Sequence, residues 1–152
     1  TFSLSNIYNS KFLLCHFEST YFMRAELLNV DFWGCNFVDS DFSDNTHFSK
    51  INFLSSGFSE TTFGSQCFEC NFSGARLKYR FDYIQPEDLK ENINKPINRD
   101  GIKELPGNFF LKCSWEALTQ NDYDLIVNEY ETPADKWEER YKPKKTENPT
   151  EE

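Results

Sequence analysis

The chain has 152 residues and a formal net charge of −9, from 16 Lys and Arg against 25 Asp and Glu. That length allows one domain with an appendage or two small domains. The acidity argues against a nucleic-acid-binding surface and against docking on an anionic membrane. No apolar run approaches the roughly 20 residues that a spanning helix needs, and no signal peptide is expected.

Residues 2–77 carry a large apolar residue at every fifth position: Phe2, Ile7, Phe12, Phe17, Phe22, Leu27, Phe32, Phe37 and Phe42. The register slips by one and resumes at Phe48, Phe53, Phe58, Phe63 and Phe68, then slips back to Phe72 and Leu77. A period of five fits neither a helix nor a flat strand. A fixed repeat marks a solenoid, whose units bury their apolar side only by stacking on neighbours. Two residues before each large one stand Ser5, Ser10, Cys15, Thr20, Ala25, Val30, Cys35, Ser40, Thr46, Ile51, Ser56, Thr61, Gln66, Cys70 and Ala75. Nearly all are small or β-branched, as a narrow tube requires.

Triplets such as Cys35-Asn36-Phe37, Ser40-Asp41-Phe42, Cys70-Asn71-Phe72 and Ala75-Arg76-Leu77 resemble the pentapeptide-repeat family. The resemblance implies an all-β solenoid, a right-handed quadrilateral β-helix of about four coils over residues 1–83, roughly 19 Å tall at about 4.8 Å per layer. It implies four columns. Phe2, Phe22, Phe42 and Phe63 form one, and Ile7, Leu27, Phe48 and Phe68 the next. Phe12, Phe32, Phe53 and Phe72 form a third, and Phe17, Phe37, Phe58 and Leu77 the fourth. The extra residue between Ser43 and Thr46 is expected at a corner, and the missing one between Phe68 and Phe72.

Five scattered cysteines show no disulfide framework and suggest reduced thiols in a cytoplasmic setting. Cys15 and Cys35 are expected one above the other as small inward residues, splayed too far for a good disulfide. Cys67 is read as outward and Cys70 as inward. No metal site is expected: the CxxC has no second ligand pair, and His16 and His47 read as isolated surface or corner residues. Asp31, Asn52 and Asn71 are read as a structural ladder along the rod.

Residues following the large ones should face solvent, yet Leu13, Trp33 and Leu54 form an apolar column, with Tyr8 and Leu28 on the neighbouring face. These five are the candidate contact surface. Either the C-terminal half covers the column or another protein, or a second copy, binds it.

Beyond Leu77 the period stops. Lys78–Tyr83 is expected to close the last coil, and residues 84–142 to form an α-helical C-terminal cap region. Pro86-Glu87-Asp88 opens a helix to about Asn94. Residues 95–113 read as loop, and Ser114 caps a turn through Leu118. Thr119 and Asp122 give a capping box for a helix over 120–131, with Tyr123, Ile126, Val127 and Tyr130 on one face. A further helix starts at Thr132-Pro133 with Trp137 and Tyr141, and residues 143–152 read as a disordered tail.

No nucleophile, acid–base pair or cofactor motif is found, so no enzyme activity and no cofactor is expected. The expected role is a protein-interaction or scaffold module, part of a longer protein because the chain starts inside a repeat. Two alternatives follow from the resemblance: an acidic mimic of duplex DNA acting on bacterial DNA gyrase or topoisomerase, or the repeat domain of a secreted bacterial effector whose enzyme domain lies elsewhere.

Overall fold

In the computed structural model the described residues are 1–43, 47–63, 67–77, 84–97, 110–133 and 136. They are mostly short strands, with one 3-10 helix and one α-helix. All strand pairing is parallel. The strands β1 (Asn6–Leu13), β3 (Glu26–Trp33), β6 (His47–Ser49), β9 (Cys67–Phe68) and β10 (Phe110–Leu111) form one sheet in that order. A second sheet is β2 (His16–Glu18), β4 (Asn36–Val38), β7 (Gly57–Ser59), and a third pairs β5 (Asp41–Phe42) with β8 (Thr62–Phe63). Each strand thus lies on the one a full layer earlier in sequence.

The corners explain the fivefold period. Leu4, Asn9, Leu14, Ser19, Arg24, Asn29, Gly34 and Asp39 all have φ between 48° and 63°, and the series resumes at Lys50, Ser55, Glu60, Glu69 and Gly74. One left-handed residue in five turns the chain sharply. Such a conformation is unfavourable for most side chains, and the surrounding ladder must hold it.

Inside the layers the large residues stack. Phe12 lies on Phe32, Phe32 on Phe53 and Phe53 on Phe72, with ring centroids 5.0, 5.3 and 5.1 Å apart. Phe2, Phe22, Phe42 and Phe63 stack at 5.1, 4.5 and 5.4 Å, and Phe17, Phe37 and Phe58 at 4.9 and 5.3 Å. Columns meet edge to face, as between Phe32 and Phe37, the arrangement that ring quadrupoles favour.

The small position has a second duty besides fitting. Ser40 Oγ donates to the Phe17 carbonyl, Ser56 Oγ to that of Phe32 and Thr61 Oγ1 to that of Phe37. Each hydroxyl satisfies a carbonyl in the layer below, removing a buried acceptor that would otherwise cost about 1–3 kcal/mol. Asn71 Nδ2 donates to Asn52 Oδ1 at 3.1 Å on the outside, so the expected ladder is present between these two.

The register corrects one reading. Glu26 faces His47, whereas Tyr21 faces Asp41, so the extra residue lies between Asp41 and His47; residues 44–46 are outside the described set. The missing residue lies earlier than expected. Ser49, not Phe48, faces Phe68, and Glu69 holds the left-handed corner. Counting back five from Phe72 arrives at Cys67, so the backbone register of the repeat is counted from Cys67 and not from Phe68. The corner at Glu69 and the pairing across layers override the attraction of the aromatic residue.

A second correction concerns residues 110–118, read as loop and helical turn. They are extended and add a further layer. Phe110 pairs with Cys67, Asn71 bridges Ser114, and Phe72 and Gly74 donate to the carbonyls of Ser114 and Glu116. Trp115 stacks on Phe72 at 4.5 Å and 10°. The sheet end is covered by this segment rather than by helices.

The helix at Pro86 is 3-10 and ends at Asn92. Gln85 N donates to Asp88 Oδ2, and Asn94 takes a left-handed turn with φ 60°. Helix α1 (Gln120–Glu131) starts at the expected capping box: Thr119 Oγ1 accepts from Asp122 N at 3.0 Å. Tyr123 and Ile126 are buried and Val127 half-buried, but Tyr130 is exposed and Glu129 is buried in its place. The expected closing strand 78–83, the helix residues 137–141 and the tail 143–152 lie outside the described residues. No helix among the described residues is long and apolar enough to cross a membrane.

Gly34 sits at a corner with φ +63°, and a Cβ there would lie 2.7 Å from Leu14 Cδ2 and 3.2 Å from Leu89 Cδ1. Corners of the same kind hold Leu14 and Ser55, so the backbone alone does not demand glycine; the close approach of Leu14 and Leu89 does. Gly34→Ala is expected to destabilise the fold by about 1–2 kcal/mol, read as a lower thermal midpoint. The left-handed backbone and the crowding act in the same direction here, so an unchanged or raised midpoint would contradict this packing.

Candidate interaction surface

The five residues singled out from the sequence separate into two groups. Trp33 and Leu54 are buried, and together with Leu89, Leu118, Tyr123 and Ile126 they form a second apolar core. Leu13, Leu14, Ile93 and Val127 pack around its edge. The outward column is therefore covered by the chain's own 3-10 helix and α1, and Trp33 and Leu54 are not a bare surface. Val38, the residue after Phe37, is also buried.

Tyr8 and Leu28 face each other across β1 and β3 and stay exposed, at 42% and 47%. Three more exposed apolar residues, which sequence reading did not include in the candidate surface, join them: Leu4, Tyr21 and Met23. Leu4 N donates to the Met23 carbonyl and Phe2 N to that of Tyr21. All five therefore decorate the first two layers. Met23, at the position after Phe22, carried the same outward signal as Leu28. Leu4 is a corner residue, which the pattern leaves unconstrained. The Tyr8 hydroxyl has a raised pKa because it hydrogen-bonds Glu26.

Beside the covered column lies a groove of about 580 Å³, lined by Asn9, Ser10, Lys11, Phe12, Leu13, Cys15, Asn29, Asp31 and Glu129. Its charges are engaged with each other and with the fold. Lys11 Nζ stands 3.6 Å from Glu129 Oε1 and 3.9 Å from the centroid of the Trp33 ring. Asp31 is the strand partner of Lys11. Burial raises the Asp31 carboxyl above its usual range, with Lys11 and a hydrogen bond from Asn52 pulling it back. The groove also admits solvent to Cys15. The Cys35 thiol beside it lowers the Cys15 pKa to about 7, while burial raises that of Cys35. Among the described residues no three His, Cys, Asp or Glu side chains gather as metal ligands.

Parallel layers of a repeated unit, each cornered by one left-handed residue, define a stacked-repeat protein. Residues 2–44 match the family model for pentapeptide repeats, in eight copies. This stretch is a pentapeptide-repeat segment, and such repeats imply a β-helix. No curated protein matches the chain.

Proposed function

We propose that the chain is a non-enzymatic protein-interaction module, built on a right-handed four-sided β-helix of about four coils with its helical segments laid along one side. The three stacked aromatic columns and the layer-by-layer parallel pairing support that shape. The observation that carries the role is the exposed cluster of Leu4, Tyr8, Tyr21, Met23 and Leu28, left bare after the C-terminal segments have covered the neighbouring column. Exposed apolar groups gathered on one region mark a contact surface, with tyrosines suited to an interface that is part apolar and part wet. In this reading the module is cytoplasmic, its cysteines are reduced at rest, and it needs no cofactor.

The test uses the double variant Tyr8→Ser/Leu28→Ser, with Leu125→Ser, an exposed position on α1, as control. Proximity labelling should recover a partner with the wild type and the control and lose it with the double variant, all three melting alike. Identical recovery by all three would overturn the assignment of this surface. Inhibition of DNA gyrase supercoiling by stoichiometric protein would replace the reading with that of a duplex mimic.

A further inference from the structure

Cys15, Cys35, Cys70 and Cys113 are outside any disulfide, and the layer register sets them in two opposed pairs. Asn36 N donates to the Cys15 carbonyl at 2.8 Å, and His16 faces Asn36, so Cys15 stands opposite Cys35 in the adjoining layer. The second pair is Cys70 and Cys113, joined by the Ser114 N to Cys70 O bond. We propose that Cys15 and Cys35 form a peroxide-oxidisable dithiol, in which Cys15 is the reacting sulfur and Cys35 resolves it to a disulfide.

Three observations carry this. Cys15 is half-exposed and lines the groove, so a small oxidant reaches it, whereas Cys35 is wholly buried beneath it. Opposed residues on neighbouring strands stand about 4.8 Å apart, inside the roughly 4.4–6.8 Å that a disulfide spans between Cα atoms. Cys35 Sγ also reaches into the adjoining layer, where it donates to the Phe12 carbonyl at 3.3 Å. The neighbouring Cys35 thiol favours the Cys15 thiolate, the form that reacts with peroxide.

The chemistry balances with hydrogen peroxide as oxidant. The Cys15 thiolate attacks one peroxide oxygen and the O–O bond breaks. This gives a sulfenic acid, and the departing hydroxide takes up a proton as water. The Cys35 sulfur then attacks the Cys15 sulfur, the S–O bond breaks, and hydroxide leaves with the Cys35 proton as a second water. The thiol pair loses two electrons and peroxide gains them.

The test treats the folded, reduced chain with a modest molar excess of hydrogen peroxide, alkylates the remaining thiols and maps them by mass spectrometry. The expected result is joint loss of the Cys15 and Cys35 thiols and a peptide crosslinked between them. Cys35→Ser should instead leave a Cys15 sulfenic acid that dimedone traps, and Cys15→Ala should leave Cys35 reduced. Both replacements suit the column, which already carries Ser56 and Ala75 in later layers. Circular dichroism confirms that each variant keeps its fold. The proposal is overturned if wild-type Cys15 accumulates as a dimedone adduct without crosslinking, or if both thiols stay alkylatable. A crosslink joining Cys70 to Cys113 while Cys15 stays reduced overturns it too.

Discussion

Phe32→Ala is expected to lower the unfolding free energy by about 3–5 kcal/mol, measured by denaturant titration. Phe32 is fully buried, stacked between Phe12 and Phe53, and meets Phe17, Phe22, Phe37 and Phe42 edge-on. Removing the ring takes away contacts to the layers on both sides, and rigid corners prevent the layers from closing over the space. Phe2→Ala is the internal control. Phe2 belongs to the first described layer, stacks only on Phe22 and is already half-exposed, so its loss should cost well under half as much. Stability in a stacked array is close to a sum of neighbour terms. Equal costs at the two sites would mean that stacking along the axis is not what holds the layers together.

Ile126→Asp is expected to release α1 at a cost of about 3–5 kcal/mol, because it leaves an unpaired carboxylate in an apolar core. Ile126 is wholly buried with Trp33, Leu54, Leu89 and Leu118. The Phe-lined layers do not depend on this side chain. Hydrogen exchange should therefore quicken over residues 120–131 while the amides of Phe32, Phe53 and Phe72 stay protected. A helix that keeps its protection would mean that something other than this face holds it.

The central positions were legible because only a large apolar side chain fills the axis, so Phe32, Phe37 and Phe53 declare themselves. The corners were not. Leu4, Arg24, Lys50 and Glu69 share one backbone conformation but no side-chain chemistry, since the ladder imposes the turn whatever residue stands there. Cys67 was misplaced because the pattern favoured the neighbouring aromatic Phe68, and only pairing across layers decides between them. The terminal layer had left a trace: Cys113-Ser114-Trp115 repeats the small, polar, aromatic order of Cys70-Asn71-Phe72. A single triplet in isolation carries little weight, and its partners lie 43 residues earlier in the register.

The contact surface was half legible. An apolar column at Leu13, Trp33 and Leu54 could be read from spacing, but spacing does not say what covers it. The answer lay in Leu89, Tyr123 and Ile126, whose apolar faces complement it. Helical period puts Tyr130 on one face with Tyr123, Ile126 and Val127, yet Glu129 is the residue buried there, with Lys11 opposite.

The span of α1 has a consequence for how this protein can change length. Its 12 residues rise about 18 Å, nearly the height of four layer steps. It starts beside Leu118, which touches Gly74 in the last repeat layer, and ends with Glu129 against Lys11 in the first. The helix acts as a gauge. Duplicating one layer would move the two anchorages apart by about 4.8 Å, and about three more helical residues would be needed to rejoin them. Most repeat arrays grow or shrink by whole units at little cost; here the strut ties the number of layers to the length of a separate element.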